Sequence, residues 1–158
     1  MHAGHIEVAV SKLIGYRSHI IVPNVSWGWG LNHEADLIVV DKNQKVTEIE
    51  IKVSLSDLKR DFQKPNQHRS KKIGRLVYAI PESILEKALP LIPKEHGIII
   101  VRKNTIETWF SYRAIWQRRC RYRKDYAGIS NAEVHDLMRL ATMRIWSLKE
   151  HNNGKVRS

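Results

Sequence analysis

Glu48, Glu50 and Lys52 stand at alternate positions in the run Val46-Thr47-Glu48-Ile49-Glu50-Ile51-Lys52, and a further acid, Asp36, lies in the preceding run Ala35-Asp36-Leu37-Ile38-Val39-Val40. Both runs are rich in Ile and Val, and the polar cluster Asp41-Lys42-Asn43-Gln44-Lys45 between them marks a turn, so a β-hairpin is predicted. Strand side chains alternate, which puts Glu48, Glu50 and Lys52 on one side and Ile49, Ile51 and Val53 on the other. A short hairpin loop sets Val40 opposite Val46, Ile38 opposite Glu48, Asp36 opposite Glu50 and Glu34 opposite Lys52. Acids facing each other with Cβ atoms about 5 Å apart repel. A divalent cation relieves that repulsion, and Mg²⁺ in particular is usually held by one or two carboxylates plus substrate phosphates. Lys52, about 7 Å beyond Glu50 along the same face, would place an ammonium beside the ion. These groups suit metal-assisted hydrolysis of a phosphate ester, with a bound water made acidic by the metal and Lys52 stabilising the charge of the transition state. The plainer reading is the wet face of a half-buried strand.

The hairpin must be held by neighbouring elements. His5 to Gly15 carries Ile6, Val10, Leu13 and Ile14 at helical spacing. His19 to Val25 reads as a strand, with Pro23 suited to a sheet edge. The glycine-rich turn Ser26 to His33 brings Trp27 and Trp29 just ahead of Asp36, either to stack on a base or to cap the core. After Lys52, Ser54 caps a helix whose inward stripe is Leu55, Leu58 and Phe62, and Pro65 ends it. Leu76 to Pro81 is an apolar run expected at the centre of a sheet. Ser83 to Leu89 follows as a short helix. Gly97 to Val101 is then expected to pair with Thr105 to Phe110 through a turn at 102–104. The economical fold is a central mixed β-sheet flanked by helices, of the α/β (α+β) class.

The set Asp36 and Glu50-Ile51-Lys52 resembles the catalytic signature of the PD-(D/E)xK nuclease superfamily, which has the restriction-endonuclease-like fold. The longer run Glu50-Ile51-Lys52-Val53-Ser54-Leu55-Ser56-Asp57-Leu58-Lys59-Arg60-Asp61 is similar to the bacterial MmcB-type group associated with DNA repair. The likeness covers about residues 5–110, with Ala35 where many members have proline before the first acid. It implies an α-β-β-β-α-β core and a Mg²⁺-dependent deoxyribonuclease, Mn²⁺ substituting. It also implies Asp36, Glu50 and the Ile51 backbone carbonyl as metal ligands, Asp36, Glu50 and Lys52 as the catalytic set, and products ending in 5′-phosphate and 3′-hydroxyl. Glu7 on the first helix is an auxiliary ligand by the same resemblance. Glu48 could bind a second metal or tune the first.

The 158 residues suit one domain, and a net charge of +11 with pI near 10.0 favours a polyanionic partner, most naturally nucleic acid. His68, Arg69, Lys71 and Lys72 form one basic run. Tyr112 to Lys124 mixes Arg118, Arg119 and Arg121 with Tyr112, Trp116 and Tyr122, as phosphate and base contacts require. The expected organisation is a core over about 5–110, a basic helical extension over about 112–150, and a tail from 151. Ser130 with Glu133 forms a capping box for a final helix with Val134, Leu137, Met138, Ala141, Ile145 and Leu148 on one side. That face would pack on the sheet or form a homodimer contact. The lone Cys120 excludes an internal disulfide and fits a reducing cytoplasm. No signal peptide or membrane-length apolar run is present. Phosphate-loop, zinc-helix and nucleophile-elbow motifs are absent. The alternative function is a nucleic-acid-binding module that keeps the nuclease fold without cutting.

Overall fold

The computed structural model describes residues 1–26, 29–64, 68, 70–105 and 111–155. It is a six-stranded mixed sheet with helices on both faces, as predicted. In chain order the elements are α1 (Ala3–Ile14), β1 (Ile20–Val25), β2 (Ala35–Val40), β3 (Val46–Ile51), α2 (Leu55–Gln63), β4 (Arg75–Pro81), α3 (Leu85–Ala88), β5 (Gly97–Lys103), β6 (Tyr112–Arg118) and α4 (Asn131–Lys155). The strands lie side by side in sequence order. β1, β2 and β3 form an antiparallel meander, β3, β4 and β5 run parallel through helical crossovers, and β6 returns antiparallel. Pro23 sits in the edge strand, where a missing N–H costs no interior ladder bond.

Alternation sorts the side chains into two apolar layers. Leu37, Val39, Ile49, Ile51, Val77, Ala79, Ile99 and Val101 point to the face covered by α1 through Ile6, Ala9 and Val10. The opposite face carries two separate clusters. Val22, Val25, Ile38, Val40 and Val46 pack with Leu137 of α4, while Tyr78, Ile80, Ile98 and Ile100 pack with Leu58 of α2 and Ala88 of α3. Between them runs β3, whose residues on this face beyond Val46 are Glu48 and Glu50.

The helix starts follow the expected capping chemistry. Asp57 N–H donates to Ser54 Oγ at 3.2 Å, and Ser130 and Glu133 bond reciprocally at 2.7 and 3.3 Å. Other expectations are corrected. The strand pairing with β5 is Tyr112–Arg118, not Thr105 to Phe110, and residues 106–110 lie outside the described ones. Tyr112, Ala114 and Trp116 alternate toward α1, so the start of the basic segment completes the sheet, and the helical extension begins only at Asn131 and runs to Lys155, into the stretch expected as a tail from 151. The helix expected over Ser83 to Leu89 is a 3₁₀ turn at Glu82–Ile84 followed by one turn of α3. Val53 lies beyond the end of β3 and is exposed, as is Phe62.

In α4 the inward stripe is Leu137, Leu140 and Ala141. Met138 is exposed because it lies on the outer face beside Leu137, and Ile145 and Leu148 are exposed in the later turns of this 25-residue helix, about 37 Å long at 1.5 Å per residue. No described helix is long and apolar enough to cross a membrane. Leu137→Ala should therefore lower unfolding stability by about 2–5 kcal/mol in urea titration, and Leu148→Ala by no more than about 0.5 kcal/mol. Equal losses would place the far end of α4 in a packed site.

Candidate functional site

The register of β2 and β3 is the predicted one from Val40 paired to Val46, through Ile38 to Glu48, as far as Leu37 to Ile49, where the ladder ends, before the predicted Asp36–Glu50 and Glu34–Lys52 pairs. Just beyond the Leu37–Ile49 pair, the Ile51 N–H donates to Asp36 Oδ2 at 2.6 Å, which ties Asp36 to the end of β3. Glu48 is fully buried and Glu50 is 3% exposed, both on the central strand. Glu48 Oε1 accepts from His68 Nδ1 at 2.8 Å and also meets His33 Nε2. Glu50 Oε2 accepts from Lys52 Nζ at 2.7 Å, and that ammonium also meets Asp61 Oδ1 at 2.9 Å. Asp61 Oδ2 in turn accepts from the Tyr78 hydroxyl at 3.1 Å. His68 Nε2 lies 3.5 Å from the same oxygen, close enough for charge attraction without a formed hydrogen bond. Two buried carboxylate oxygens, Glu48 Oε2 and Glu50 Oε1, have no hydrogen-bond partner.

Charge states follow from these contacts. Burial, reinforced by the charges of Asp36 and Glu48 and only partly offset by Lys52, pushes the Glu50 carboxyl up to about 7. Burial also acts on Glu48, but the hydrogen bonds from His33 and His68 outweigh it and hold this acid at about 2. Burial alone would favour neutral Lys52, yet Glu50 and Asp61 keep its ammonium well above the ordinary lysine value. His68 likewise overcomes burial through Asp61 and Glu48 and is raised to about 10. Asp36 is shifted upward, chiefly by burial. Glu7 of α1, on the other face of the sheet, is raised by burial and by the charge of Asp36.

Asp36, Glu50 and Lys52 are therefore brought to one end of β3, and Glu7 and Glu48 stand on either side of them. The tighter grouping is different. His33, Glu48, Glu50 and His68 each offer a ligand atom, all within 4.8 Å of one another, and Asp36 is not among them. The unpartnered oxygens of Glu48 and Glu50 fit a cation, since a buried carboxylate oxygen left without a partner is costly. His33 and Asp61 entered without a sequence prediction. Asp61 had one signal, its place three residues after Leu58 on the inward stripe of α2.

The expected nucleic-acid residues divide. Trp29 is buried, and its indole N–H donates to the Glu133 carbonyl at 3.1 Å, so it ties the loop before β2 to the first turn of α4. Lys72 covers the Trp29 ring and pairs with Glu133 at 2.6 Å. Arg118 donates to the carbonyls of Ile92, Pro93 and His96, which fastens β6 to the α3–β5 connection. Arg119, Arg121 and Lys71 are exposed, and Trp27 and Arg69 lie outside the described residues. His68, Arg75, His96, Arg119, Arg121 and Lys124 line an open cavity of ≈ 640 Å³ that reaches the acidic centre through His68.

A family model described as DNA repair protein MmcB-like matches residues 2–151. The chain belongs to the MmcB-like family. No curated protein matches this MmcB-like chain. A solved structure, the SPO1766 protein of unknown function from Silicibacter pomeroyi, is similar to it with a TM-score of 0.66 at 16% identity, covering 97% of this chain and 92% of that one. At that identity the likeness shows the fold alone.

The raised Glu50 has a thermodynamic consequence. Its protonated form is favoured in the folded state, so in chelator the stability should fall as pH rises from about 4.5, its ordinary value, through about 7. Glu50→Gln removes that proton dependence. Its advantage over wild type in thermal unfolding should grow across this window and level off above it; parallel curves would show that Glu50 ionises without penalty.

Proposed function

We propose that this chain is a metal-dependent nuclease that hydrolyses phosphodiester bonds in DNA. The observation that carries the reading is the buried Glu50, with one oxygen on Lys52 and the other unpartnered, beside Asp36 at the end of β3. Membership of a family described by DNA repair and a net charge of +11 support DNA as the substrate.

Asp36, Glu50 and the Ile51 carbonyl would hold Mg²⁺ or Mn²⁺, with Glu7 within electrostatic reach of Asp36. A cation bound there lowers the pKa of its water and takes up charge on the scissile phosphate. Lys52 remains an ammonium at neutral pH, so it serves as a donor and a fixed positive charge, not as a base. Asp61, itself held by Tyr78, positions that ammonium. The basic cavity supplies a route for the strand, Arg119 and Arg121 meeting backbone phosphates at its rim. Arg123 donates to the His68 carbonyl at 3.1 Å and keeps the wall between cavity and centre in place.

Purified protein should cut plasmid or single-stranded DNA with Mg²⁺ or Mn²⁺ and stop in chelator. Asp36→Ala, Glu50→Ala and Lys52→Ala should each slow cutting by about 10²–10³-fold while DNA binding persists. Undiminished cutting by these variants would overturn the mechanism, and binding without cutting under every metal would return the chain to the non-catalytic DNA-binding alternative.

The rim makes a separate prediction. Arg119→Ala with Arg121→Ala should flatten the dependence of log affinity on log salt by about 2. Arg118→Ala should cost folding stability instead, because its guanidinium is engaged by three carbonyls. An unchanged salt slope for the Arg119/Arg121 pair would clear the rim of phosphate contact.

A further inference from the structure

The metal ligands assigned above are all oxygens, yet the densest cluster of ligand atoms in the site contains two imidazoles. We propose that His33, Glu48, Glu50 and His68 form a second cation position, one that takes a first-row transition ion of the Fe²⁺, Co²⁺ or Zn²⁺ kind in preference to Mg²⁺. The inference deepens the nuclease reading and shares Glu50 with it.

Three observations carry it. The four residues bring ligand atoms within 4.8 Å of one another from three separate places in the chain: the loop before β2, the strand β3 and the loop after α2. Glu48 Oε2 and Glu50 Oε1 are buried and unpartnered, so the cluster is incomplete as it stands. The third observation is the outer support of each imidazole. His33 Nδ1 lies 2.9 Å from Asn32 Oδ1 while Nε2 meets Glu48, so an ion that displaces the proton shared with Glu48 finds the ring already oriented through Nδ1. His68 presents Nδ1 to Glu48 and turns Nε2 toward the Asp61 carboxylate. A ring nitrogen turned to an amide or carboxylate oxygen, with the other facing the ion, is the arrangement that orients metal-binding histidines. Mg²⁺ prefers oxygen and retains water, whereas imidazole suits Fe, Ni, Cu and Zn.

The test uses the full chain carrying His2→Ala and His5→Ala, because those two N-terminal rings, whose centroids lie 3.6 Å apart, could take an ion of their own. After chelator treatment, one equivalent of Co²⁺ should bind with a saturable visible absorption band, and millimolar Mg²⁺ should not displace it. His33→Gln and His68→Gln should each weaken Co²⁺ at least tenfold. X-ray absorption at the zinc edge of the Zn²⁺-loaded protein with both histidines intact should show scattering from two imidazoles, a readout that does not depend on whether either glutamine variant folds. Oxygen-only coordination, or equal competition by Mg²⁺, would overturn the inference. Mg²⁺-supported cutting without an imidazole-bound ion sinks this inference alone, and a bis-imidazole ion in a protein that cuts no DNA sinks the nuclease reading alone.

Discussion

Two carboxylates on one face of a central strand, Glu48 and Glu50, are withdrawn from water, and much of the surrounding polar structure is a response to their charge. Removing an ion from water costs several kcal/mol even after relaxation, so such acids persist only where cations and donors meet them. Lys52 answers Glu50, and His33 and His68 answer Glu48. Each acid still keeps one oxygen without a partner. A fold seeking stability alone would have filled these positions with more of the Ile and Val found on either side.

The architecture leaves room for this group by dividing the apolar packing of one sheet face. α4 covers the meander and α2 with α3 covers the parallel strands, with the acids of β3 between the two clusters. α2 then delivers Asp61, and His68 comes from between α2 and β4, both meeting the group above the gap. The polar supports reach outward in turn: Tyr78 and Lys52 fix Asp61, and Arg123 fixes the backbone of His68. The basic cavity beyond His68 places positive charge beside the acidic centre, so a polyanion can approach a site whose own carboxylates would repel it.

Local pattern accounts for what could be read early. Period-two alternation and a short turn sufficed for the β2–β3 register, because a slip of one residue would have sent every apolar side chain to the wrong face. Capping chemistry located the starts of α2 and α4, since Ser54, Ser130 and Glu133 act on backbone groups within three residues. β6 was misplaced because its arginines masked an alternating apolar pattern at Tyr112, Ala114 and Trp116. Trp29, Lys72 and Arg118 looked like nucleic-acid contacts but are spent on Glu133 and on backbone carbonyls. Nothing in the vicinity of those residues in the chain announced partners so distant.

By itself, the sequence determined the mixed sheet with flanking helices, the side of β3 on which Glu48, Glu50 and Lys52 lie, and the strongly basic net charge. Each depends on residue type, spacing or net charge, which act locally or as a sum over the chain. Tertiary structure decided that Glu48 meets His33 and His68, that Asp61 holds Lys52, and that Arg118 is spent on backbone carbonyls. Those outcomes depend on loops and helix faces converging across the fold, and no periodicity encodes where two loops will meet.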